Sequence, residues 1–426
     1  MAANIVDKKG RPVVVVTGMG IVTSLGQGRE DNWNALTAGR SGIHQITRFP
    51  TDGLRTTIGG TVDFVEAEPF CAPALSENLA DIAIAEAIEQ SAIGSQGDFP
   101  GPLFLAAAPV EMEWPQREEL ARAAGAPDPS DYHTLLEAAH AGRPDLHNRF
   151  VFAGVADTLA DRYGTKGSPI SLSTACASGA TAIQLGIEAI RRGDADAALT
   201  VGTDGSIHAE ALIRFSLLSA LSTQNDPAEG AAKPFSKNRD GFVMAEGAAA
   251  LVLESLEHAR ARGAKILGVL EGAGERADSF HRTRSNPDGK AIIGCLESAL
   301  ADAGIAPEDI DYINAHGTGT PENDKMECLS VEAVFGEHAT AVPISSNKSM
   351  IGHTLTAAGA VEAAFSLMTI LEGRIPPTIN HEIPDPTIPL DVVPNTARDA
   401  SVNRVLSNSF GFGGQNVSLV IAAEPS

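Results

Sequence analysis

The chain has 426 residues, of which 43% are hydrophobic and 20% charged, and its 42 glycines and 25 prolines are spread along the whole sequence. This profile is typical of a globular protein long enough for two sizeable α/β units, and it excludes extended disorder. A formal net charge of −23, without any Lys/Arg-rich run, argues against a nucleic-acid-binding surface.

The amino-terminal residues and the cysteines exclude further classes of protein. Residues 1–12 lack the charged start, apolar middle and small-residue cleavage site of a signal peptide, and no stretch reaches about 18 uninterrupted apolar residues. We therefore expect a cytoplasmic protein without a membrane span. No C-x-x-C pair and no Cys/His cluster at zinc spacing occurs among the four cysteines, so we expect neither a disulfide nor a metal site.

The first part of the chain contains strand and helix patterns and then a polar excursion. The segment RPVVVVTGMGIVTSLG at 11–26 predicts a buried strand followed by a glycine turn, and 100–108 predicts a second buried strand. Residues 77–93 have apolar side chains at helical spacing. A dinucleotide-binding fingerprint is rejected at Gly18-Met19-Gly20, because Thr23 holds the third glycine position. Residues 109–149 predict loops and helices of the kind that often cover a site or a partner surface.

From residue 168 onward, strands alternate with helices. Strands are predicted at 168–174, 196–205, within 245–263 and at 265–278, with a helix from Ala180 to Gly193 and another closing the 245–263 segment. Short strands followed by polar loops are predicted within 310–320, 342–354 and 403–414. This alternation predicts an α/β fold with largely parallel sheets, whose strand-end loops converge on one site. Four such loops carry Cys176, His316, His353 and Phe412.

Cys176 lies in STACASG, immediately before a predicted helix. A helix amino terminus lowers the pKa of a thiol, and the small neighbours would let a thioester approach the sulfur. The amide N–H of Cys176 would face the oxyanion formed by attack. A buried cysteine used as a small hydrophobic residue explains this segment equally well.

Two histidines follow other predicted strands. His316 lies in NAHGTGTP, where Thr318 and Thr320 offer hydroxyls to a polar ligand. His353 follows Lys348 and precedes a small-residue helix that contains Glu362. By itself each residue would more often be a loop histidine or a solvated charge. If Glu362 pairs with Lys348 beneath the site, however, the lysine stays charged and keeps a nearby imidazole neutral.

Neutral imidazoles are what an enolate-forming reaction requires, because their N–H groups can donate hydrogen bonds to one developing oxyanion. The segment SNSFGFGG contains Gly411, Gly413 and Gly414, which free the backbone so that the amide of Phe412 can complete an oxyanion hole with that of Cys176. A glycine-rich turn around a core aromatic is the alternative for this segment.

Taken together, the segments resemble the signatures of β-ketoacyl-[acyl carrier protein] synthases of the elongating Cys-His-His type. The resemblance runs in order from about residue 11 to residue 421. Its segments are VVVVTGMGIVTSLG from residue 13, STACASG, KPFSKNRDGFVMAEGAAALVLE from residue 233, NAHGTGTP with NDK at 323–325, SSNKSMIGHTLTAAGAVEA and SNSFGFGGQN. It implies the thiolase fold, with two similar α/β halves, 1–265 and 266–426, in a five-layer αβαβα stack. The family usually forms homodimers.

The resemblance also implies a role for each site residue and a pair of substrates. Cys176 would accept the acyl group, His316 and His353 would promote malonyl decarboxylation, and Lys348 and Glu362 would support the histidines. Phe412 would be oxyanion donor and gatekeeper, while Thr318, Thr320 and Phe410 would contact the substrate. The partner would be acyl carrier protein, loaded with acyl or malonyl groups on phosphopantetheine, and no external cofactor would be needed.

The chain departs from the family pattern at several positions. Residues 106–120 are bulkier and more polar than the usual glycine-rich stretch, which leaves acyl length and dimer partner open and permits a heterodimer with a related synthase. Arg282 and Gln415 replace residues common in the family. The helical region before residue 94 has no basic residue for an acidic carrier, so we expect the basic docking patch among Arg117, Arg122, Arg191, Arg192, Lys233, Lys237 and Arg239.

Four other classes of protein fit these motifs less well. A degradative thiolase would need a second cysteine near the carboxyl terminus, and residues 329–426 contain none. A ketosynthase that primes from coenzyme A would pair Cys and His with Asn, where this chain has His353. A non-catalytic, chain-length-determining subunit typically loses the cysteine, and a cysteine hydrolase would not need both histidines. A polyketide-type ketosynthase remains open beside fatty-acid or other lipid synthesis.

Overall fold

The computed structural model describes residues 5–94, 97–125, 131–142 and 148–425. The strands in these ranges are β1 (Val14–Thr23), β2 (Gly26–Gln27), β3 (His44–Gln45), β4 (Ile58–Gly59), β5 (Leu103–Ala106), β6 (Ile170–Leu172), β7 (Ala197–Asp204), β8 (Gly247–Ser255), β9 (Gly268–Ala277), β10 (Tyr312–Asn314), β11 (Ile344–Ser345), β12 (Arg374–Ile375), β13 (Arg398–Asp399), β14 (Arg404–Phe410) and β15 (Gln415–Ala422).

The α-helices in the same ranges connect and cover these strands. They are α1 (Gly28–Thr37), α2 (Ala72–Ser91), α3 (Trp114–Ala123), α4 (Tyr132–Gly142), α5 (Gly154–Tyr163), α6 (Ser178–Arg191), α7 (Ala209–Leu217), α8 (Leu256–Ala261), α9 (Lys290–Ala303), α10 (Pro321–Phe335), α11 (Lys348–Ile351) and α12 (Ala358–Glu372).

Ten strands form two sets of five with the same pairing pattern. The first set has the order β6-β5-β7-β8-β1, and the second has the order β11-β10-β14-β15-β9. In each set the first three strands are parallel and the last two add antiparallel neighbours. A short antiparallel contact between β1 and β9 joins the sets at Val15 with Val269. The two similar α/β halves are therefore present, and the predicted boundary at 265/266 falls between α8 and β9.

The helices complete the predicted layers. Helix α2 packs on the outer face of the first sheet, against β1, β8 and β7, and α5 packs beside it on β5. Helices α6 and α12 contact each other and lie between the sheets, whereas α9 and α10 cover the second sheet. The order from one side to the other is thus helix, sheet, helix, sheet, helix, which confirms the thiolase-like α/β arrangement.

The central helix α12 is apolar on every side because it has a sheet on both sides. The stretch Leu355–Glu372 is long and apolar enough to cross a membrane by length and composition, with a mean hydropathy of 1.3, and 83% of it is buried inside the protein. An all-round apolar helix is what the middle layer of such a stack requires. Its composition is therefore accounted for by core packing.

Two glycines allow α6 and α12 to approach closely. A Cβ placed on Gly179 would lie 2.5 Å from the amide nitrogen of Ala360, and one on Gly359 would lie 2.4 Å from that of Ala180. The two positions occupy equivalent places near the starts of the two helices. This contact fixes the separation of the strand ends that carry the site.

The glycine turn predicted after the first strand was wrong. Gly18 and Gly20 lie inside β1, which continues to Thr23. The reason is packing: a Cβ at either glycine would lie 2.0 Å from a backbone carbonyl oxygen of α2, that of Ala87 or Ala83. These glycines serve the contact between helix and sheet.

The polar excursion at 109–149 contains α3 and α4, as predicted, in the parts that the structure describes. Residues 126–130 and 143–147, with Pro127, Pro129 and Pro144, lie outside the described residues. The neighbouring segment 108–111 borders a cavity beside Cys176.

We expect Gly359→Ala to destabilise the protein by about 1–3 kcal/mol or more, because the added methyl group forces α6 and α12 apart. The matched control is Gly294→Ala in α9, where the new Cβ meets side-chain atoms only at 3.6 Å or beyond. That change should stabilise the helix by about 0.5–1 kcal/mol. Urea unfolding measures both, and equal effects would contradict the close-contact argument.

Candidate active site

Cys176 lies in a strained turn between β6 and α6. Ala175 has a φ of +51°, a left-handed conformation that is uncommon for a residue with a side chain. The turn places Cys176 just before the start of α6 at Ser178, as the sequence predicted, and leaves the residue only 9% exposed. The backbone N–H of Phe412 donates a hydrogen bond to its sulfur. A strained backbone of this kind is common at functional sites.

The expected lowering of the cysteine pKa was wrong. Burial raises the pKa of the Cys176 thiol to about 11, although the Phe412 N–H and the charge of Lys348 act in the opposite direction. Desolvation disfavours a thiolate more than the helix terminus stabilises it in this closed pocket. The resting group is therefore the neutral thiol.

His316 and His353 lie beside that sulfur. The Sγ of Cys176 and one ring nitrogen from each histidine are all within 4.8 Å of one another. The two rings meet edge to face, with centroids 5.3 Å apart and an interplanar angle of 83°. Both side chains are almost fully buried. The three strand-end loops predicted to converge thus form one cluster.

The hydrogen bonds around both rings define which nitrogen carries the proton. Burial, and then the charge of Lys348, lower the pKa of both histidines well below the usual value, so both rings are neutral. Nδ1 of His353 accepts from the backbone N–H of Leu355 at 3.3 Å, and Nδ1 of His316 lies 3.4 Å from the ammonium of Lys348. Each ring therefore presents Nε2–H as a donor. That of His353 is buried and has no partner among the described residues.

Lys348 and Glu362 form the buried ion pair expected beneath the histidines. The ammonium also donates to the backbone carbonyl of His316 at 2.7 Å, which ties the histidine loop to α11. Burial raises the pKa of Glu362 to about 7, while the charge of Lys348 opposes that rise. The pair holds a positive charge next to both rings.

The remaining predicted residues line the cleft above the cluster. Thr318 and Thr320 border it, and their hydroxyls lie 2.9 Å apart. Thr320 also accepts from the Asn323 N–H at the start of α10, so its hydroxyl is partly used as a helix cap. Phe410 packs against the ring of His316 at 5.6 Å. Phe412 borders both this cleft and a second cavity on the other side of Cys176.

Sequence reasoning missed Glu327, a buried carboxylate that shapes the His316 loop. It accepts hydrogen bonds from the backbone N–H groups of His316 at 2.9 Å and Gly317 at 2.7 Å, and from the side-chain amide of Asn408 at 3.2 Å. Burial raises its pKa to about 7, although the two backbone donors lower it. Asp324, one turn earlier, accepts from Gly319 in the same way. The sequence signal that could have identified them is that Asp324 and Glu327 lie three positions apart on a predicted helix directly after the histidine loop.

The basic docking patch predicted from sequence was wrong for several of its members. Arg191 is buried and paired with Asp302 at 2.7 Å, so it joins the two halves instead of facing a partner. Arg239 is buried and paired with Asp385 at 2.8 Å, and Lys233 is buried against Gln224. A surface partner cannot use charges that the fold has already neutralised.

Two other arginines lie at the cleft. The segment 281–285 lines it, and Arg282 and Arg284 are exposed there, without an ion pair to any residue that the structure describes. Gly413 N–H donates to the Arg282 carbonyl at 2.7 Å, which fixes this segment to the Phe412 loop.

A thiol and two imidazoles at this spacing could also ligate a soft metal ion, and Glu113, His208 and Glu210 could ligate a harder divalent one. The expectation of no metal therefore stays a prediction. The hydrogen-bond pattern at the first cluster favours acyl-transfer chemistry, because both Nε2 atoms are donors in the neutral rings.

The two-half sheet, with a buried cysteine and two histidines at its strand ends, defines a protein of the thiolase fold. Family models for the beta-ketoacyl synthase N-terminal domain match residues 11–81 and 120–259, and the model for the C-terminal domain matches 267–382. The chain belongs to the beta-ketoacyl synthase family.

Relatives and solved structures cover nearly the whole chain. It is 39% identical to a 3-oxoacyl-[acyl-carrier-protein] synthase 2 of Coxiella burnetii, over 96% of this chain and 98% of that protein, and 36% identical to a putative polyketide beta-ketoacyl synthase 1 of Streptomyces cyaneus, over 94% and 96%. The ishigamide ketosynthase/chain length factor structure superposes with a TM-score of 0.84 at 33% identity, covering 97% of this chain and 100% of that one.

A second structural neighbour is a type II polyketide synthase acyl-carrier protein in complex with its ketosynthase bound to the hexaketide. It has a TM-score of 0.83 at 32% identity and covers 97% of this chain and 100% of that one. Both neighbours confirm the predicted fold.

We expect the alkylation rate of Cys176 by iodoacetamide to rise about tenfold per pH unit between about pH 7 and 9.5, without a plateau, because only the thiolate reacts. Lys348→Met should slow the reaction, since the lysine charge lowers the thiol pKa. Mass spectrometry of the Cys176 peptide measures the rate. A plateau near neutral pH would indicate a preformed thiolate–imidazolium pair and contradict this account.

Proposed function

We propose that this protein is a β-ketoacyl-[acyl carrier protein] synthase, which joins a cysteine-bound acyl chain to a malonyl unit with loss of CO₂. The observation that carries the proposal is the cluster of one buried thiol and two neutral imidazoles, in which the sulfur and one ring nitrogen of each histidine lie within 4.8 Å of one another. The 3-oxoacyl-[acyl-carrier-protein] synthase 2 relatives support the same reaction for fatty-acid elongation.

In the first step Cys176 attacks the thioester carbonyl of an acyl carrier. The sulfur forms a new carbon–sulfur bond, the old thioester bond breaks, and the thiol proton ends on the departing phosphopantetheine sulfur. The N–H groups of Cys176 and Phe412 would hold the transient oxyanion, and the Phe412 N–H already points at the sulfur. The acyl group is left on Cys176.

In the second step malonyl-carrier enters the same cleft and loses CO₂. The electron pair of the broken carbon–carbon bond passes into an enolate, whose oxygen accepts hydrogen bonds from Nε2–H of His316 and His353. The enolate carbon attacks the acyl thioester, and the Cys176 sulfur leaves and takes a proton from solvent. Because Nδ1 of each neutral ring accepts a hydrogen bond or faces the Lys348 ammonium, Nε2–H of each ring is free to donate to the enolate oxygen.

The proposed chemistry needs no external cofactor, because loss of CO₂ drives carbon–carbon bond formation and no electrons are exchanged with a second reactant. We place the reaction in the cytoplasm, where carrier-bound intermediates would be supplied. The partner is an acidic acyl carrier protein whose phosphopantetheine arm reaches Cys176 past Thr318 and Thr320.

We also propose a dimer formed through the sheet edge. Strand β6 ends the sheet order and has no second neighbour among the described residues, and Ile170 is 45% exposed on it. Ser171 donates to the carbonyl of Phe152 at 3.0 Å, which brings the exposed Val151 and Phe152 to the same edge. An apolar, unpaired edge strand favours pairing with a second strand. A homodimer, or a heterodimer with a related synthase, would cover it.

A polyketide-type ketosynthase is the second candidate. It is supported by the putative polyketide synthase relative and by the two structural neighbours with polyketide-related titles. A non-catalytic, chain-length-determining subunit is disfavoured, because Cys176 and both histidines are present and clustered.

We expect acyl-carrier thioester to leave an acyl mass increment on Cys176, and Cys176→Gln to abolish condensation. The glutamine variant should still release CO₂ from malonyl-carrier, because the two imidazoles remain. The matched control is Cys71→Ser, which should keep both activities, since serine is a favourable residue at that helix cap. Continued chain elongation by Cys176→Gln would contradict the proposal.

For the carrier, we expect the double variant Arg282→Glu/Arg284→Glu to weaken binding by about tenfold, with loss of the salt dependence, because it reverses two charges at the cleft mouth. Arg55→Glu is the control, since Arg55 is exposed and does not line the cleft. Fluorescence anisotropy with labelled carrier measures the dissociation constant. Unchanged affinity would place the docking site elsewhere.

A further inference from the structure

A second cavity of about 390 Å³ borders Cys176 beside the cleft that contains His316 and His353. Phe215 and Phe412 line both spaces. An acyl chain bound to the Cys176 sulfur would extend into this cavity while the histidines face the other substrate. The chemistry of its wall therefore selects the acyl group.

The wall near Cys176 is built around a buried carboxylate. Asp204 lies at the end of β7 and is 1% exposed. It accepts from the hydroxyl and amide of Ser206, at 2.5 and 3.0 Å, and from those of Thr356, at 2.7 and 3.1 Å. Because each hydroxyl has donated its proton to Asp204, its oxygen can only accept a hydrogen bond from a ligand. The wall thus has two acceptors beside the sulfur.

His208 adds a third acceptor. Its Nδ1 lies 3.0 Å from the carboxylate of Glu210, which can only accept, and 3.4 Å from the backbone N–H of Ala211; the shorter contact assigns the ring proton to Nδ1. Burial lowers the pKa of this imidazole, although the bond to Glu210 opposes that change. Nε2 of the neutral ring therefore has a lone pair, and it has no hydrogen-bond partner among the described residues.

The far end of the cavity is charged. Arg214 projects from α7 and shares the carboxylate of Glu111 with Arg117, at 3.1 and 2.8 Å. Because two guanidinium groups share one carboxylate, the three side chains together keep one positive charge, and several of their N–H groups remain available as donors. The wall of the cavity thus offers both hydrogen-bond acceptors and hydrogen-bond donors.

Most of the cavity lining is apolar, with Phe215, Leu218 and Leu355 among it, so a hydrocarbon chain packs against that part of the wall but leaves the polar part unsatisfied. It would displace water from Ser206, Thr356 and His208 without replacing the hydrogen bonds, and unpaired buried polar groups are costly. A hydroxyl group can donate to these acceptors and can also accept from Arg214. A carboxylate on the chain can only accept hydrogen bonds, so it could pair with Arg214 but not with Ser206 or Thr356, whose hydroxyl oxygens also only accept.

We propose that the acyl cavity selects a medium-length acyl chain that carries a hydroxyl group, through Ser206, Thr356, His208 and Arg214. This inference rests on the proposed function, because it assumes that the chain is bound to Cys176. The inference gives the polar stretch 106–120 and helix α7 a role in recognising this class of substrate.

The test compares carrier thioesters of octanoyl, mid-chain hydroxyoctanoyl, omega-hydroxyoctanoyl and octanedioyl groups, with loading of Cys176 followed by intact-protein mass spectrometry. We expect at least one hydroxylated chain to load about tenfold faster than octanoyl, since a site built to hydrogen-bond a hydroxyl rejects the analogue that lacks it. Faster or equal loading of octanoyl, or preferred loading of octanedioyl, would overturn the inference.

Two variants locate the selectivity. His208→Phe and Arg214→Leu should each reduce the hydroxyl preference and speed the loading of octanoyl, whereas the surface control Arg55→Leu should leave the preference unchanged. Arg214 is more than half exposed, so its replacement is compatible with folding even if His208→Phe is not. An unchanged preference in Arg214→Leu, with folded protein by circular dichroism, would contradict the role of that residue. Failure of every thioester to load Cys176 would instead reject the proposed function.

Discussion

The site depends on one buried ion pair, that of Lys348 with Glu362. A lone ammonium in this interior would lose its proton, and a lone carboxylate would gain one, because burial disfavours both charged forms. Held together, they keep a positive charge beside His316 and His353 and prevent either ring from being protonated. The same ammonium donates a hydrogen bond to the His316 carbonyl. Lys348 therefore sets both the charge beside the two rings and the position of the His316 loop.

Burial has opposite effects on the readiness of the thiol and of the imidazoles to react. Burial keeps the histidines in the neutral state in which Nε2–H can donate, and it also keeps Cys176 as the weakly nucleophilic thiol. The Phe412 amide partly compensates by pointing at the sulfur. The arrangement fits a reaction in which the sulfur becomes reactive only when a thioester carbonyl fills the pocket and the amide donors stabilise the new oxyanion.

Much of the fold and the cluster could be predicted from local patterns. The strand-then-polar-loop segments identified where Cys176, His316, His353 and Phe412 would meet, because parallel strands end on one side of a sheet. Spacing did not reveal Glu327, which acts through backbone amides, or the role of Gly18 and Gly20 inside β1. The sequence prediction also put Arg191 in a docking patch, because Asp302, which forms the ion pair with it, lies far away in the sequence.

The sequence by itself determined the layered α/β architecture, the family and the identity of the reacting side chains, because periodicity and motif residues are local properties of the chain. Tertiary structure decided the protonation of those side chains, the burial of Arg191, Arg239 and Lys233, and the polar groups in the wall of the cavity beside Cys176. These depend on desolvation and on distances between residues such as Asp204 and Thr356, which lie on different elements and are brought together only when the two halves pack around α6 and α12.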